Sequence, residues 1–312
     1  IINLRNKIIS LGGEIKYNSK LKNIIIENNK VTKIKVNGEY IDTDILVLAI
    51  GHSARDTFYM LNNYLNMEAK PFAVGVRISH KQSMINKSQY GVEDSILGPA
   101  SYKLTHTCKN GRGIYTFCMC PGGYVINASS ESGYLSINGM SDYKRDSKFS
   151  NSAIVVTVNK DDFGNGLFDG LKFQEELERK TFEIGNGSIP VQKYEDFIAN
   201  KVNEVKTGGI KGSYVSKNLN EILPEYISSS IKEAFPHFTK QIKSFDKDAI
   251  LLAAETRTSS PLTILRNEDG MSNIEGIYPV GEGAGYSGGI TTSGVDGIIQ
   301  AENFAKRFKP FN

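Results

Sequence analysis

Gly276-Ile277-Tyr278-Pro279-Val280-Gly281-Glu282-Gly283-Ala284, followed by Tyr286-Ser287-Gly288-Gly289-Ile290-Thr291-Thr292-Ser293-Gly294, decides how this chain is read. An apolar run of strand length ends at an acid, a glycine-rich turn follows, and a helix begins. The helix shows as Val295, Ile298, Ile299, Ala301, Phe304, Ala305 and Phe308 at a 3.6-residue period. A carboxylate at a strand end accepts hydrogen bonds from ribose or ribityl hydroxyls. Glycines let backbone N–H groups approach a ligand, and a helix N-terminus favours negative charge, as on a pyrophosphate or a reduced flavin ring. The stretch predicts the second half of a nucleotide site. Glu282 is its ribityl-hydroxyl candidate. Gly281, Gly283, Gly288, Gly289, Ile290 and Thr291, with Gly51 at the end of an earlier apolar run, supply backbone toward the cofactor.

The first half of such a site is normally a strand, a G-x-G-x-x-G turn and a helix, with an acid about 20 positions later. No such unit opens this chain. It starts with Ile2, Leu4, Ile8, Ile9 and Leu11 at helical spacing, Gly12-Gly13 as a stop, and a strand-like Glu14–Tyr17. The expectation is a fragment whose N-terminal βαβ unit lies outside it.

From Leu21 to Ile50 the pattern is β. Leu21–Ile26, Val31–Val36 and Glu39–Ile41 are short strands, with Asn37-Gly38 as a hairpin signal. Asp44–Gly51 is a continuous apolar run ending in glycine, as expected of a strand buried on both faces. A helix with Phe58, Leu61 and Leu65 follows. Beyond Phe72 the character is mixed: strands at Ala73–Ile78 and Ala153–Val158, a hairpin around Pro121-Gly122-Gly123, and helices through Leu171, Leu177 and Phe182 and through Ile227, Ile231 and Phe235. The expected organisation is a discontinuous first unit, 1–70 and 249–312, interrupted by an inserted α+β unit, 71–248. Losing a βαβ unit would leave the strands at Ile45–Ile50 and Ile277–Val280 with an open edge, inviting self-association.

Three further constellations carry chemistry. Glu255-Thr256-Arg257-Thr258-Ser259-Ser260-Pro261 is polar and lies between apolar strands, so it needs internal partners or faces a ligand. Arg257, with Thr258, is the candidate for a fixed cation on the substrate side. The bland alternative is an ion pair of Arg257 with Glu255. His52, just after the strand-end Gly51, is the one histidine with a catalytic prospect. Cys118-Met119-Cys120 would share a strand face, so redox cycling is sterically open, although buried small apolar residues are the simpler reading. Cys108 and the scattered histidines show no metal-ligand spacing along the sequence.

The 312 residues carry a formal net charge of +3, with no Lys/Arg run, which argues against nucleic acid as partner. No apolar stretch nears the ~20 residues of a membrane span. Three cysteines fit a reducing, cytoplasmic setting better than a disulfide framework.

Taken in order, L-A-I-G-H-S-A-R-D (48–56), C-M-C-P-G-G (118–123), E-T-R-T-S-S-P (255–261) and I-Y-P-V-G-E-G-A-G-Y-S-G-G-I-T-T-S-G-V-D-G (277–297) resemble a group of bacterial FAD-dependent dehydrogenases, also described as NAD(FAD)-utilising. The resemblance implies a partial glutathione-reductase-like FAD-binding unit with an inserted substrate unit. It also implies FAD as cofactor, NAD(P)H as a donor and an organic substrate. Rival expectations are a flavin-dependent reductase of prenyl or lipid double bonds, and a flavin-binding or RNA-associated protein without turnover.

Overall fold

The computed structural model describes residues 1–92 and 95–307. Helix α1 (Ile2–Ser10) forms where the spacing places it, but buries none of its residues. Glu14–Tyr17 is not a strand; Glu14–Lys16 run without regular structure into a turn at Tyr17–Asn18. A meander follows, β1 (Leu21–Glu27), β2 (Lys30–Val36) and β3 (Glu39–Asp42), antiparallel throughout. Its second turn is Asn37-Gly38, with both residues at positive φ (52° and 113°), which this residue pair tolerates best. Next come β4 (Leu46–Leu48) and α2 (Arg55–Leu61). β4 is shorter than the apolar run around it, and it is not buried on both faces: Leu48 is enclosed whereas Val47 is 54% exposed.

The middle of the chain forms β5 (Met67–Ala69), β6 (Phe72–Lys81), α3 (Gln82–Tyr90), β7 (Thr105–Thr107), β8 (Gly113–Cys120), β9 (Gly123–Asn127), β10 (Ile137–Ser141) and β11 (Phe149–Val158). It continues with α4 (Lys160–Phe163), α5 (Asp169–Gly185), β12 (Ile189–Lys193), α6 (Tyr194–Ala199), β13 (Ile210–Lys211), β14 (Tyr214–Ser216) and α7 (Glu225–Gln241). The end holds β15 (Ile250–Glu255), β16 (Leu262–Ile264), β17 (Ile277–Pro279) and α8 (Ile290–Arg307).

A seven-stranded sheet in the order β14-β12-β15-β6-β11-β8-β7 is the frame. Its centre is the ten-residue antiparallel pairing of β6 with β11. Val74, Val76 and Ile78 of β6 and Ile154 and Val156 of β11 turn to the face covered by Ile227, Ile231, Phe235 and Phe238 of α7. Each such side chain contributes about 1.5–3 kcal/mol by leaving water. β15 lies inside this sheet, between β12 and β6. The return to the first unit expected at 249 therefore falls after Glu255, because the apolar run there completes the sheet.

The expected hairpin at Pro121-Gly122-Gly123 is a corner instead. β8 pairs with β7 and β11, while β9 pairs with β10 and β13 in another sheet. Gly122 turns the chain at φ 53°, and a Cβ there would lie 1.8 Å from the Arg145 carbonyl oxygen.

A second, smaller core gathers Ile24, Val31, Leu48, Phe58, Leu61, Leu65, Leu262, Ile264 and Ile277, with Leu171 reaching in from α5. Within it β4 and β17 run parallel, Leu46 opposite Ile277 and Leu48 opposite Pro279. They form a two-stranded sheet, with no further strand on either side among the described residues. α8 is rotated from its expected orientation. Asp296 and Gln300 face inward, while Val295, Ile298 and Ile299 stay exposed, because the inner contacts are a backbone N–H and an arginine rather than apolar surface. Phe304 packs edge-on against Tyr278; Phe308 lies outside the described residues. No helix among the described residues is long and apolar enough to cross a membrane.

Candidate active site

Parallel pairing sets the carboxyl ends of β4 and β17 side by side, where open parallel sheets bind ligands. Gly51 follows one strand and Gly281–Gly283 the other. The two turns touch: a Cβ on Gly283 would sit 2.4 Å from the Gly51 carbonyl oxygen. Gly283→Ala is expected to wedge these turns apart at a cost of about 1–3 kcal/mol, read as a lower urea midpoint. An unchanged midpoint would show that the turns can separate freely.

Glu282 stands between them, 26% exposed, with no hydrogen-bond donor on its carboxylate among the described residues. His52 Nδ1 lies 3.5 Å from Glu282 Oε1. The other ring nitrogen, Nε2, is 3.1 Å from Gln174 Oε1, and the Gln174 amide in turn donates to the Thr256 carbonyl. That chain turns the Gln174 oxygen toward His52, so Nε2 carries the hydrogen it donates. Nδ1 is left enclosed and unpartnered, facing the carboxylate. Lys70 donates to the Gly285 carbonyl (2.6 Å). Burial pulls the Lys70 ammonium below its ordinary range, and the charge of Glu282 opposes that shift.

The residues after Gly51 bind into an ionic cluster centred on Glu178 of α5, which is fully buried. Arg257 grips Glu178 with both prongs (2.9 and 2.8 Å), and its remaining amino group reaches Ser53 and Ser130. Arg55 donates to the same carboxylate (2.9 Å) and faces Glu131 and Glu175; the Thr256 hydroxyl adds a further donor. Burial alone would raise the Glu178 carboxyl, but Arg257 and Arg55 outweigh it and hold it below the usual range. The guanidinium of Arg257 is thus turned to Glu178, not to Glu255 and not outward. Thr258 is also committed, donating to the Ala73 carbonyl (2.6 Å). Both come to the edge of the site as groups that hold its walls.

Gly288 lies against Thr258 and Ser259, so the glycine turn closes over the E-T-R-T-S-S-P segment. Gly289, at φ 147°, leads into α8, whose first residues Ile290 and Thr291 are exposed. Asp296, nearly two helical turns into α8, accepts the Gly281 N–H (2.7 Å) and both prongs of Arg266. The hydrogen bond from Arg266 is the chief cause that holds its carboxyl below the usual range. The structure therefore gathers Gly51, His52, Arg257, Thr258, Gly281, Glu282, Gly283, Gly288, Gly289, Ile290 and Thr291 around the ends of two strands and one helix.

The C-M-C segment lies on the large sheet. Cys120 is opposite Asn151 and Phe117 opposite Ala153, so Cys118 and Met119 together face Ser152 in a β-bulge. Cys118 adopts φ 46° and is exposed while Cys120 is buried, so the two do not share a face as strand alternation predicts. The Cys120 thiol donates to the Cys118 backbone carbonyl at 3.4 Å. Its proximity pulls the Cys118 thiol below its ordinary range, aided by the charge of Arg77 and opposed by burial. Carboxymethylation of Cys118 should level off well below the pH of about 8.5 typical of a thiol, and Cys120→Ser should move that midpoint upward. A midpoint at the ordinary thiol value in the wild type would contradict the pairing.

Sequence reasoning missed Gln174, Glu178, Arg55, Lys70, Arg266 and Asp296. A signal for two of them exists: Gln174 and Glu178 fall three and seven residues after Leu171, on the buried stripe of α5. A carboxylate on an apolar stripe needs a buried partner.

A protein of Clostridium beijerinckii is 46% identical over 98% of this chain, and the chain spans 60% of that relative's length. Among solved structures, L-proline dehydrogenase from P. horikoshii aligns at 13% identity and a TM-score of 0.40, over 97% of this chain and 54% of that one. CtdE in complex with FAD aligns at 11% identity and a TM-score of 0.34, over 96% and 57%. The family described as FAD-dependent protein, C-terminal domain-like, matches residues 71–258, more than half of the sequence, and the chain belongs to it.

Proposed function

We propose that this chain supplies the ribityl and pyrimidine side of an FAD site in an FAD-dependent oxidoreductase acting on an organic substrate, with NAD(P)H as hydride donor. Residues 1–70 and those after Glu255 form an incomplete FAD-binding unit of glutathione-reductase type in this reading, and the seven-stranded sheet carries the substrate side. The observation behind it is the carboxylate of Glu282. It stands at a parallel strand end, half-covered, beside a glycine turn and a helix N-terminus, with its hydrogen-bonding capacity unspent. Bound FAD would supply the hydride chemistry. The chain's own share is positional. Glu282 holds sugar hydroxyls, Gly288 to Thr291 present backbone, and His52, held by Gln174, fills the space behind Glu282. Arg257 and Thr258 hold the wall rather than touch substrate.

The test is to incubate this chain, and separately the longer relative, with FAD, remove free cofactor by gel filtration, and record the visible flavin band. Glu282→Ala is expected to weaken FAD retention roughly tenfold or more, since a hydrogen bond to a charged group contributes about 1.5–3 kcal/mol. Bleaching of the bound flavin by NAD(P)H would distinguish turnover from silent binding. Unchanged FAD affinity in Glu282→Ala would overturn the assignment.

A further inference from the structure

The geometry points to a zinc-class metal site, independent of the flavin reading, formed by His106, Cys108 and Glu233 between edge strand β7 and helix α7. One ligand atom from each of the three lies within 4.8 Å of the others. His106 belongs to β7, and Cys108 follows it by two residues in a tight turn closed by the Gly111 N–H on the Cys108 carbonyl (2.8 Å). Glu233 comes from α7, and the Lys109 N–H fixes its Oε1 (2.8 Å). His106 Nε2 is enclosed yet has no hydrogen-bond partner, and it lies 3.7 Å from Glu233 Oε1. Cys108 is buried, with only a weak contact at 3.8 Å to the Ser230 carbonyl.

A thiolate, an imidazole and a carboxylate form a borderline-soft donor set, which suits Zn2+ and disfavours Mg2+ or Ca2+. Ligand atoms around a tetrahedral zinc stand about 3.3–3.8 Å apart, so small side-chain rotations bring these three into place. On binding, the Cys108 thiol releases its proton to solvent and its sulfur bonds the metal. His237, one turn beyond Glu233, stacks on the His106 ring at 3.9 Å, and a water completes the set. β7 has three residues and one strand neighbour, so a bound metal would tie this short edge to α7.

The test is to strip the purified chain with a chelator and titrate it with Co2+. The expected result is one equivalent bound, with a sulfur-to-cobalt charge-transfer band in the near-ultraviolet, intense visible bands of tetrahedral Co2+, and displacement of both by Zn2+. Cys108→Ser should lose the charge-transfer band, and Glu233→Gln should weaken binding roughly tenfold or more. Should Cys108→Ser fail to fold, the Cys118→Ser/Cys120→Ser double variant still decides, because it must keep the band. A wild-type spectrum of hydrated octahedral Co2+ would overturn the proposal, as would loss of the band in the double variant.

Discussion

Glu178→Ala is expected to destabilise the fold by about 3–5 kcal/mol, the cost of leaving buried charge without its partner. Arg55 and Arg257, 3% and 11% exposed at the side chain, share this one carboxylate. Removing it leaves two guanidinium groups facing each other where water cannot restore their hydrogen bonds. Glu131 and Glu175 offset part of the charge of Arg55, but neither touches Arg257. Glu178→Gln keeps the shape and removes the charge, so its loss should be smaller but still large. Glu183→Ala is the control. It breaks a pair with Arg179 on the same helix, both partners being more than half exposed, and should change stability by no more than about 0.5 kcal/mol. Urea titrations of the three variants read the difference. Equal effects of Glu178→Ala and Glu183→Ala would show that the cluster is screened after all. The pH dependence has a definite sign. The folded-state pKa of Glu178 lies below its unfolded value, so the stability it adds is complete above the ordinary carboxylate range. It drains as pH falls through the folded value. The gap between wild type and Glu178→Gln should accordingly narrow on acidification.

Arg77→Ala is the second large effect, again about 3–5 kcal/mol. Arg77 is fully buried in β6 and makes two hydrogen bonds of 2.9 Å to Glu255 of β15. Its other contacts are Asn151 (2.7 Å), Asn138 (3.1 Å) and the Cys118 carbonyl (3.2 Å). Truncation therefore leaves a buried carboxylate and the Asn151 side-chain oxygen unmatched, whereas the Asn138 oxygen keeps the Gly139 N–H and the Cys118 carbonyl keeps the Cys120 thiol. Replacing both charges with apolar groups, as in Arg77→Met with Glu255→Leu, should recover a good part of the loss, because a buried pair gains little over a well-packed apolar one. The Asn151 oxygen keeps that recovery incomplete. Chemical denaturation of the single and double variants forms a cycle, and strict additivity would refute direct coupling between the two side chains.

Elements with unbroken periodicity were legible from the sequence. The meander reads from its alternation and Asn37-Gly38, β6 and β11 from their β-branched runs, and α5 and α7 from their buried stripes. Three misreadings share a physical origin, the choice of partner rather than of local conformation. α8 has an apolar stripe, but Asp296 finds the Gly281 N–H and Arg266 and turns the helix the other way. Cys118 would alternate inward with Cys120, but a bulge turns it out. Ile250–Glu255 is an apolar strand with no mark saying which sheet will take it. In the candidate site, the glycine turn and Glu282 stand where the local pattern places them, at the end of β17. The bond of Arg257 to Glu178 was not legible, since it joins residues 79 positions apart. The same holds for Cys108 and Glu233, which meet only because α7 lies over the sheet edge.

The contact of Gly51 with Gly283 has a consequence for the order in which the chain folds. β4 and β17 pair across more than two hundred residues of intervening chain, whereas β6, β8 and β11 draw on neighbouring segments. Closing so long a loop is slow, and the large sheet can assemble before it. During synthesis the meander and β4 leave the ribosome before the large sheet, yet must wait for β17 and α8 before the two glycine turns can meet. β17 and α8, at the end of the sequence, thus set when this junction closes. A chain stalled before β17 would present a well-formed large sheet without the junction of the two glycine turns.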